Sequence, residues 1–127
     1  VAGRMNPEAR VLNAVVRELD RCKKAGEPLW WIKTHGSAMQ RAGVPDLVVC
    51  YGGIFLGIEL KAPGEAPTPL QAETMRRIGL AGGRCAVVHG VEELKKFLAS
   101  IPIHREEVAR AIERSAQQAQ QQEGERT

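Results

Sequence analysis

The chain lacks any apolar run near the roughly 18–20 residues needed to span a bilayer. No charged-then-apolar leader with a cleavage site is visible in it either. A membrane partner is therefore not expected. Cysteine is scarce: Cys22, Cys50 and Cys85 are odd in number and widely spaced, and they match no zinc-binding pattern. Each sits in an apolar run, which reads as buried free thiols in a reducing compartment. A strong charge of one sign is also missing. Eighteen Lys and Arg against 15 Asp and Glu leave a net +3 and a pI near 9.0, which permits a polyanionic partner without requiring one. The length of 127 residues suits one domain with a modest core.

What is present reads as an α/β pattern. Asn6 is a helix N-cap, with Pro7 at the first helical position and Glu8 in the first turn. The helix runs to about residue 24 and stops at Gly26. Its apolar stripe contains Val11, Leu12, Val15, Val16, Leu19 and Cys22. Glu8 lies on the axis of that stripe, whereas Glu18 and Asp20 lie off it. Glu8 is thus expected along the buried face, where an unpaired acid is costly. Residues 29–33 form a strand in which Trp30 and Trp31 alternate faces, so one belongs to the core. The other is free to stack on a base or seal a subunit contact. A polar loop, 34–43, follows Lys33 and carries His35 and Arg41.

Two apolar runs then flank Gly52-Gly53, a pair that favours a two-residue primed turn between antiparallel strands. In that register paired residue numbers sum to 105, so Asp46 stands opposite Glu59. Side chains alternate along a strand, so Lys61 shares the face of Glu59. After a proline-rich loop, Thr68 caps a helix that starts at Pro69 and ends at Gly82-Gly83. A short strand at 84–89 and a helix at 91–100 follow. Residues 104–122 continue as a last helix with a narrow stripe of Val108, Ala109, Ile112, Ala116 and Ala119. Its glutamine-rich end and residues 124–127 are expected to fray. The order α-β-β-β-α-β-α, with a helical crossover between the last two strands, predicts a mixed sheet of about four strands flanked by helices. The domain spans residues 6–101, and 102–127 form a helical extension.

Like charges directly opposite on a sheet are destabilising. Asp46 and Glu59 therefore call for a cation, and two hard oxygen donors suit Mg²⁺ or Mn²⁺, with the Leu60 carbonyl as a further ligand. Lys61 would position or deprotonate a water, or offset charge on a phosphate. The plainer alternative is a surface trio in which Lys61 neutralises an acid. Gln71 carries two readings as well. Thr68-Pro69-Leu70-Gln71 fits a capping box, yet Gln71 also lies near the apolar face of its helix, beside Leu70, Met75 and Ile78.

Pro45-Asp46 followed after a hairpin by Glu59-Leu60-Lys61 resembles the PD-(D/E)XK nuclease motif. The wider set, Gly43-Val44-Pro45-Asp46-Leu47, the glycine turn, Glu59-Leu60-Lys61 and then Gln71, resembles the virus-type replication–repair nuclease (VRR-Nuc) branch. The resemblance covers roughly residues 7–101. It implies a restriction-endonuclease-like core and metal-dependent cleavage of DNA. It also implies Asp46 and Glu59 as metal ligands, Lys61 as the catalytic lysine, and Gln71 orienting water or touching the metal site. Members carry an acid on the first helix, and Glu8 is the matching position; Glu18 is the fallback, and a helix N-terminal acid favoured by the macrodipole is the alternative. Lys33, His35, Arg41 and Arg76 (with Arg77) are candidates for phosphate contacts. The resemblance further implies branched or duplex DNA as partner, a structure-selective junction or flap endonuclease, a homodimer and a phage or bacterial cytoplasmic setting. The dimer contact is expected at residues 101–112 with Trp30 or Trp31. The competing functions are a catalytically silent nucleic-acid-binding module and a metal-independent interaction scaffold.

Overall fold

The first helix, α1 (Pro7–Lys24), begins where Asn6 Oδ1 accepts a hydrogen bond from the Ala9 amide at 2.7 Å. In the computed structural model residues 6–34 and 41–126 are described. The remaining elements are β1 (Leu29–Lys33), β2 (Leu47–Tyr51), β3 (Ile54–Leu60), α2 (Pro69–Leu80), β4 (Arg84–Val88), α3 (Val91–Ser100) and α4 (Arg105–Arg126). They form a four-stranded sheet in the order β1-β2-β3-β4. The first three strands are antiparallel, and β4 runs parallel to β3 after the α2 crossover.

The β2–β3 hairpin has the register the glycine pair dictates. Tyr51 pairs with Ile54 and Leu47 with Ile58. Gly52 and Gly53 hold φ of 59° and 81°, values that a side chain would resist. One face of the sheet presents Leu47, Val49, Leu56, Ile58 and Leu60 to Val15 and Leu19 of α1 and Leu94 and Leu98 of α3. Burying each such side chain is worth roughly 1.5–3 kcal/mol, which makes this layer the main source of stability.

The opposite face is covered less completely. The α2 helix crosses it, yet buries none of its residues fully, and Leu70 and Leu80 remain exposed. Of the face expected to be apolar around Gln71, Gln71, Met75 and Ile78 are half-buried, whereas Leu70 is exposed. A Cβ on Gly83 would come within 2.7 Å of Ile78. Trp30, Cys50 and Phe55 stand in register across three strands on this uncovered side. Trp30 is 52% exposed and Phe55 44%. Cys50 is exposed too, against the expectation of burial, because its apolar run serves both faces of the sheet. Cys22 and Cys85 are half-buried, and burial raises both thiols.

Of the tryptophans, Trp31 is tied down by donating Nε1–H to Asp20 at 2.9 Å. Of the surface expected to meet a second subunit, Ile101 is buried and Ile103 packs on the core, whereas Trp30 and most of 104–112 are exposed. Arg105 anchors the start of α4 through Glu27, at 3.0 Å, and Tyr51 donates its hydroxyl to the same carboxylate. Beyond that anchor α4 buries no residue. It stays helical through Arg126, as its Ala, Gln, Glu and Arg content favours. Among the described residues no helix is long and apolar enough to cross a membrane.

Candidate active site

Asp46 and Glu59 occupy adjacent strand ends. Asp46 lies one residue before β2, where the register of the hairpin continues onto Glu59 of β3. Its Oδ2 accepts the Leu60 backbone amide at 2.8 Å. Glu59 is 1% exposed. Its Oε1 accepts a hydrogen bond from Gln71 Nε2 at 3.0 Å, while its Oε2 is buried without a partner. Two acids side by side cannot both be satisfied as anions, so a proton or a cation must be shared between them. Burial, followed by the contact with Asp46, pushes the Glu59 carboxyl up to about 8. The Lys61 ammonium opposes that shift, and the more distant Glu8 charge adds to it.

Gln71 completes the capping box and also reaches Glu59. Its Oε1 accepts the Thr68 backbone amide at 2.8 Å, completing the capping box, and its Nε2 faces Glu59. The cap fixes which end of the amide turns toward the carboxylate. The start of α2 thereby becomes a rigid support for Glu59.

Glu8 differs from its expected burial. It is exposed, because the first turn of α1 projects past the layer that covers Val11 and Val15. It rims a cleft of about 280 Å³, together with Asn6, Lys33, Asp46 and Leu60. Among the described residues no three His, Cys, Asp or Glu side chains come together as a ready metal-holding group. Glu8 stands near the carboxylate pair rather than within it. Glu18, the fallback acid, is buried but is held by Arg21, whose Nε lies 2.8 Å from Oε2. It lines a separate depression with Ala14, Arg17 and Val91.

Arg41 lines a second cleft of about 510 Å³ that shares Asp46 with the first and adds Thr34, Gly43 and Gln71. Arg76 lines neither cleft. It and Arg77 share the Glu73 carboxylate, at 2.8 and 3.1 Å, which holds that acid down near 2. His35 lies outside the described residues.

Sequence reasoning passed over His89. Its ring nitrogens lie 2.8 Å from the Glu65 carbonyl and 3.0 Å from the Glu93 carboxylate. Both partners only accept, so the imidazolium alone satisfies both. This clips the 62–68 segment, which joins Lys61 to Gln71, onto α3. The Glu65 carbonyl and then Glu93 raise the His89 pKa above 6.5. The clip's contribution is therefore complete below 6.5 and is lost as pH rises through the folded value. An NMR titration of His89 should give a midpoint above 6.5, and Glu93→Gln should lower it; a midpoint at or below 6.5 would refute the clip.

No protein-family model matches the chain, and no curated protein matches it either. Among solved structures, one described as a VRR_NUC domain superposes with a TM-score of 0.61. The match covers 77% of this chain and 100% of that one, at 22% identity. The chain has a VRR-Nuc fold. In VRR-Nuc terms the mixed sheet brings the Pro45-Asp46 and Glu59-Leu60-Lys61 segments to one end, beside the start of α2.

Proposed function

We propose that this chain is a metal-dependent nuclease that hydrolyses phosphodiester bonds in DNA. The observation that carries the reading is the buried, unpartnered Oε2 of Glu59 against the Asp46 carboxylate. That arrangement is costly for a metal-free protein and well suited to a hard divalent cation. Asp46 and Glu59 would hold Mg²⁺ or Mn²⁺, with the Leu60 carbonyl as a further oxygen donor and Glu8 at the rim. A bound cation of this kind supplies Lewis acidity toward a phosphoryl oxygen and toward water.

The chain's own residues supply the rest. Gln71 holds Glu59 at a fixed orientation through its amide. Lys61, on the Glu59 face, positions or deprotonates the attacking water, or offsets charge gathering on the phosphoryl oxygens. Water oxygen bonds to phosphorus as the ester oxygen leaves and takes up a proton. Lys33 and Arg41, one in each cleft, place positive charge where a phosphate backbone would run past Asp46. Two clefts meeting at Asp46 favour a branched or bent strand over a single straight path.

A cleavage panel tests this reading. Single strands, duplex, flaps and four-way junctions would be offered with Mg²⁺ or Mn²⁺, with and without EDTA. The parent chain should cut at least one branched substrate, and Asp46→Asn should lose activity by about 10²-fold or more. Cutting by Asp46→Asn at the parental rate would end the proposal.

A further inference from the structure

We propose that Thr34 is a positioning residue for Asp46, aiming its carboxylate at Glu59; the proposal rests on the reading of that pair as a cation site. Thr34 directly follows β1 and is 3% exposed. The β1–β2 register, in which Lys33 faces Leu47, carries on to set Thr34 opposite Asp46. The Thr34 amide donates to the Asp46 carbonyl at 3.0 Å. Its hydroxyl donates to the Pro45 carbonyl at 2.5 Å. One residue thus ties two successive carbonyls, on either side of the Asp46 backbone nitrogen.

The Pro45 carbonyl belongs to the peptide plane that carries the Asp46 amide. Fixing that plane together with the next one, whose carbonyl the Thr34 amide holds, fixes the direction in which the Asp46 Cα–Cβ bond leaves the strand. Pro45 cannot compensate by a hydrogen bond of its own, since it lacks an N–H. It is fully buried, and its ring sits on Gly57, where a Cβ would come within 2.9 Å of Pro45 Cγ. The Pro45-Asp46 peptide is therefore held from the β1 side by the Thr34 hydroxyl and from beneath by a missing side chain. Asp46 Oδ2 is taken by the Leu60 amide, so the reach of the other oxygen toward Glu59 depends on this backbone angle.

The hydroxyl is the part that matters, because valine has the same shape without it. Thr34→Val leaves the buried Pro45 carbonyl without its donor and frees the plane to turn. Thr34→Ser keeps the hydroxyl. Two readouts on the full chain separate the cases. Amide exchange at Leu60, whose N–H is held by Asp46, needs no metal. It should quicken by about tenfold or more in Thr34→Val, with the Ile58 amide as an internal reference that does not move, and stay parental in Thr34→Ser. Mn²⁺ titration by calorimetry should show affinity falling by about 10–100-fold in Thr34→Val and within about twofold of parent in Thr34→Ser. Unchanged Leu60 exchange in Thr34→Val overturns the positioning role, and so does an equal loss in both variants. A parent that binds no Mn²⁺ while Leu60 responds to the hydroxyl overturns the cation site and leaves the positioning of Asp46 standing.

Discussion

Glu59→Gln should make the metal-free protein more stable at pH 8, although it replaces a fully buried residue. The Glu59 carboxyl titrates near 8 in the fold, against 4.5 as its ordinary value. Above 4.5 the unfolded chain gives up this proton while the folded chain keeps it. Stability therefore falls as pH rises from 4.5 to about 8, with a limiting slope of about 1.4 kcal/mol per pH unit. Screening and the sharing of one proton with Asp46 reduce the total well below that limit. Glutamine removes the ionisation. Its amide oxygen keeps the hydrogen bond from Gln71, and its NH₂ can donate to Asp46 where Glu59 leaves an orphaned oxygen. In EDTA at pH 8 the variant should melt about 5 °C above the parent, and its melting temperature should be flatter with pH between 5 and 8. With Mn²⁺ the order should reverse, since a cation stabilises only the form that binds it. A lower melting temperature than the parent in EDTA at pH 8 would show that Glu59 carries no such strain.

Lys61→Met should separate chemistry from binding. Lys61 shares the face of Glu59, and its charge lowers the Glu59 pKa. It is only half-buried, so an unbranched apolar side chain of similar length fits without a cavity. Cleavage under single-turnover conditions should fall by about 10²–10⁴-fold, the usual worth of a positioned acid–base group. The melting-temperature gain from Mn²⁺ should persist, because Asp46 and Glu59 are untouched. A variant that cuts as well as the parent would remove Lys61 from the mechanism. One that loses the Mn²⁺ response would instead make the lysine part of the cation site.

Several parts of this arrangement follow from local spacing. Gly52-Gly53 permits the tight turn, and the turn sets the pairing of every residue in the hairpin. Period-two alternation then puts Asp46, Glu59 and Lys61 on one face. Thr68 and Gln71 at capping-box spacing define the start of α2. Asn6 and Pro7 do the same for α1, and the strand, helix, strand order yields the parallel β3–β4 pair.

Other features depend on what lies across from a residue, which spacing along the chain does not encode. Periodicity aimed Glu8 at the core side of α1, yet that turn opens onto a cleft with Lys33, Asp46 and Leu60 instead of packing against them. Glu18, off the apolar axis, is buried because Arg21 closes over it. Cys50 reads as core from its neighbours but faces the side of the sheet that α2 covers only in part. Thr34 reads as the start of a polar loop. Its grip on Pro45, eleven residues on, and on Asp46 beside it exists only once β1 lies against β2. The amino-acid order by itself determined the elements, the hairpin register and the face shared by the two acids and the lysine, because turn geometry and strand alternation are local. Tertiary packing alone decided which acid lost its water, which oxygen was left without a donor and which residues hold that pair in place, because desolvation and orientation are set by neighbours distant in the chain.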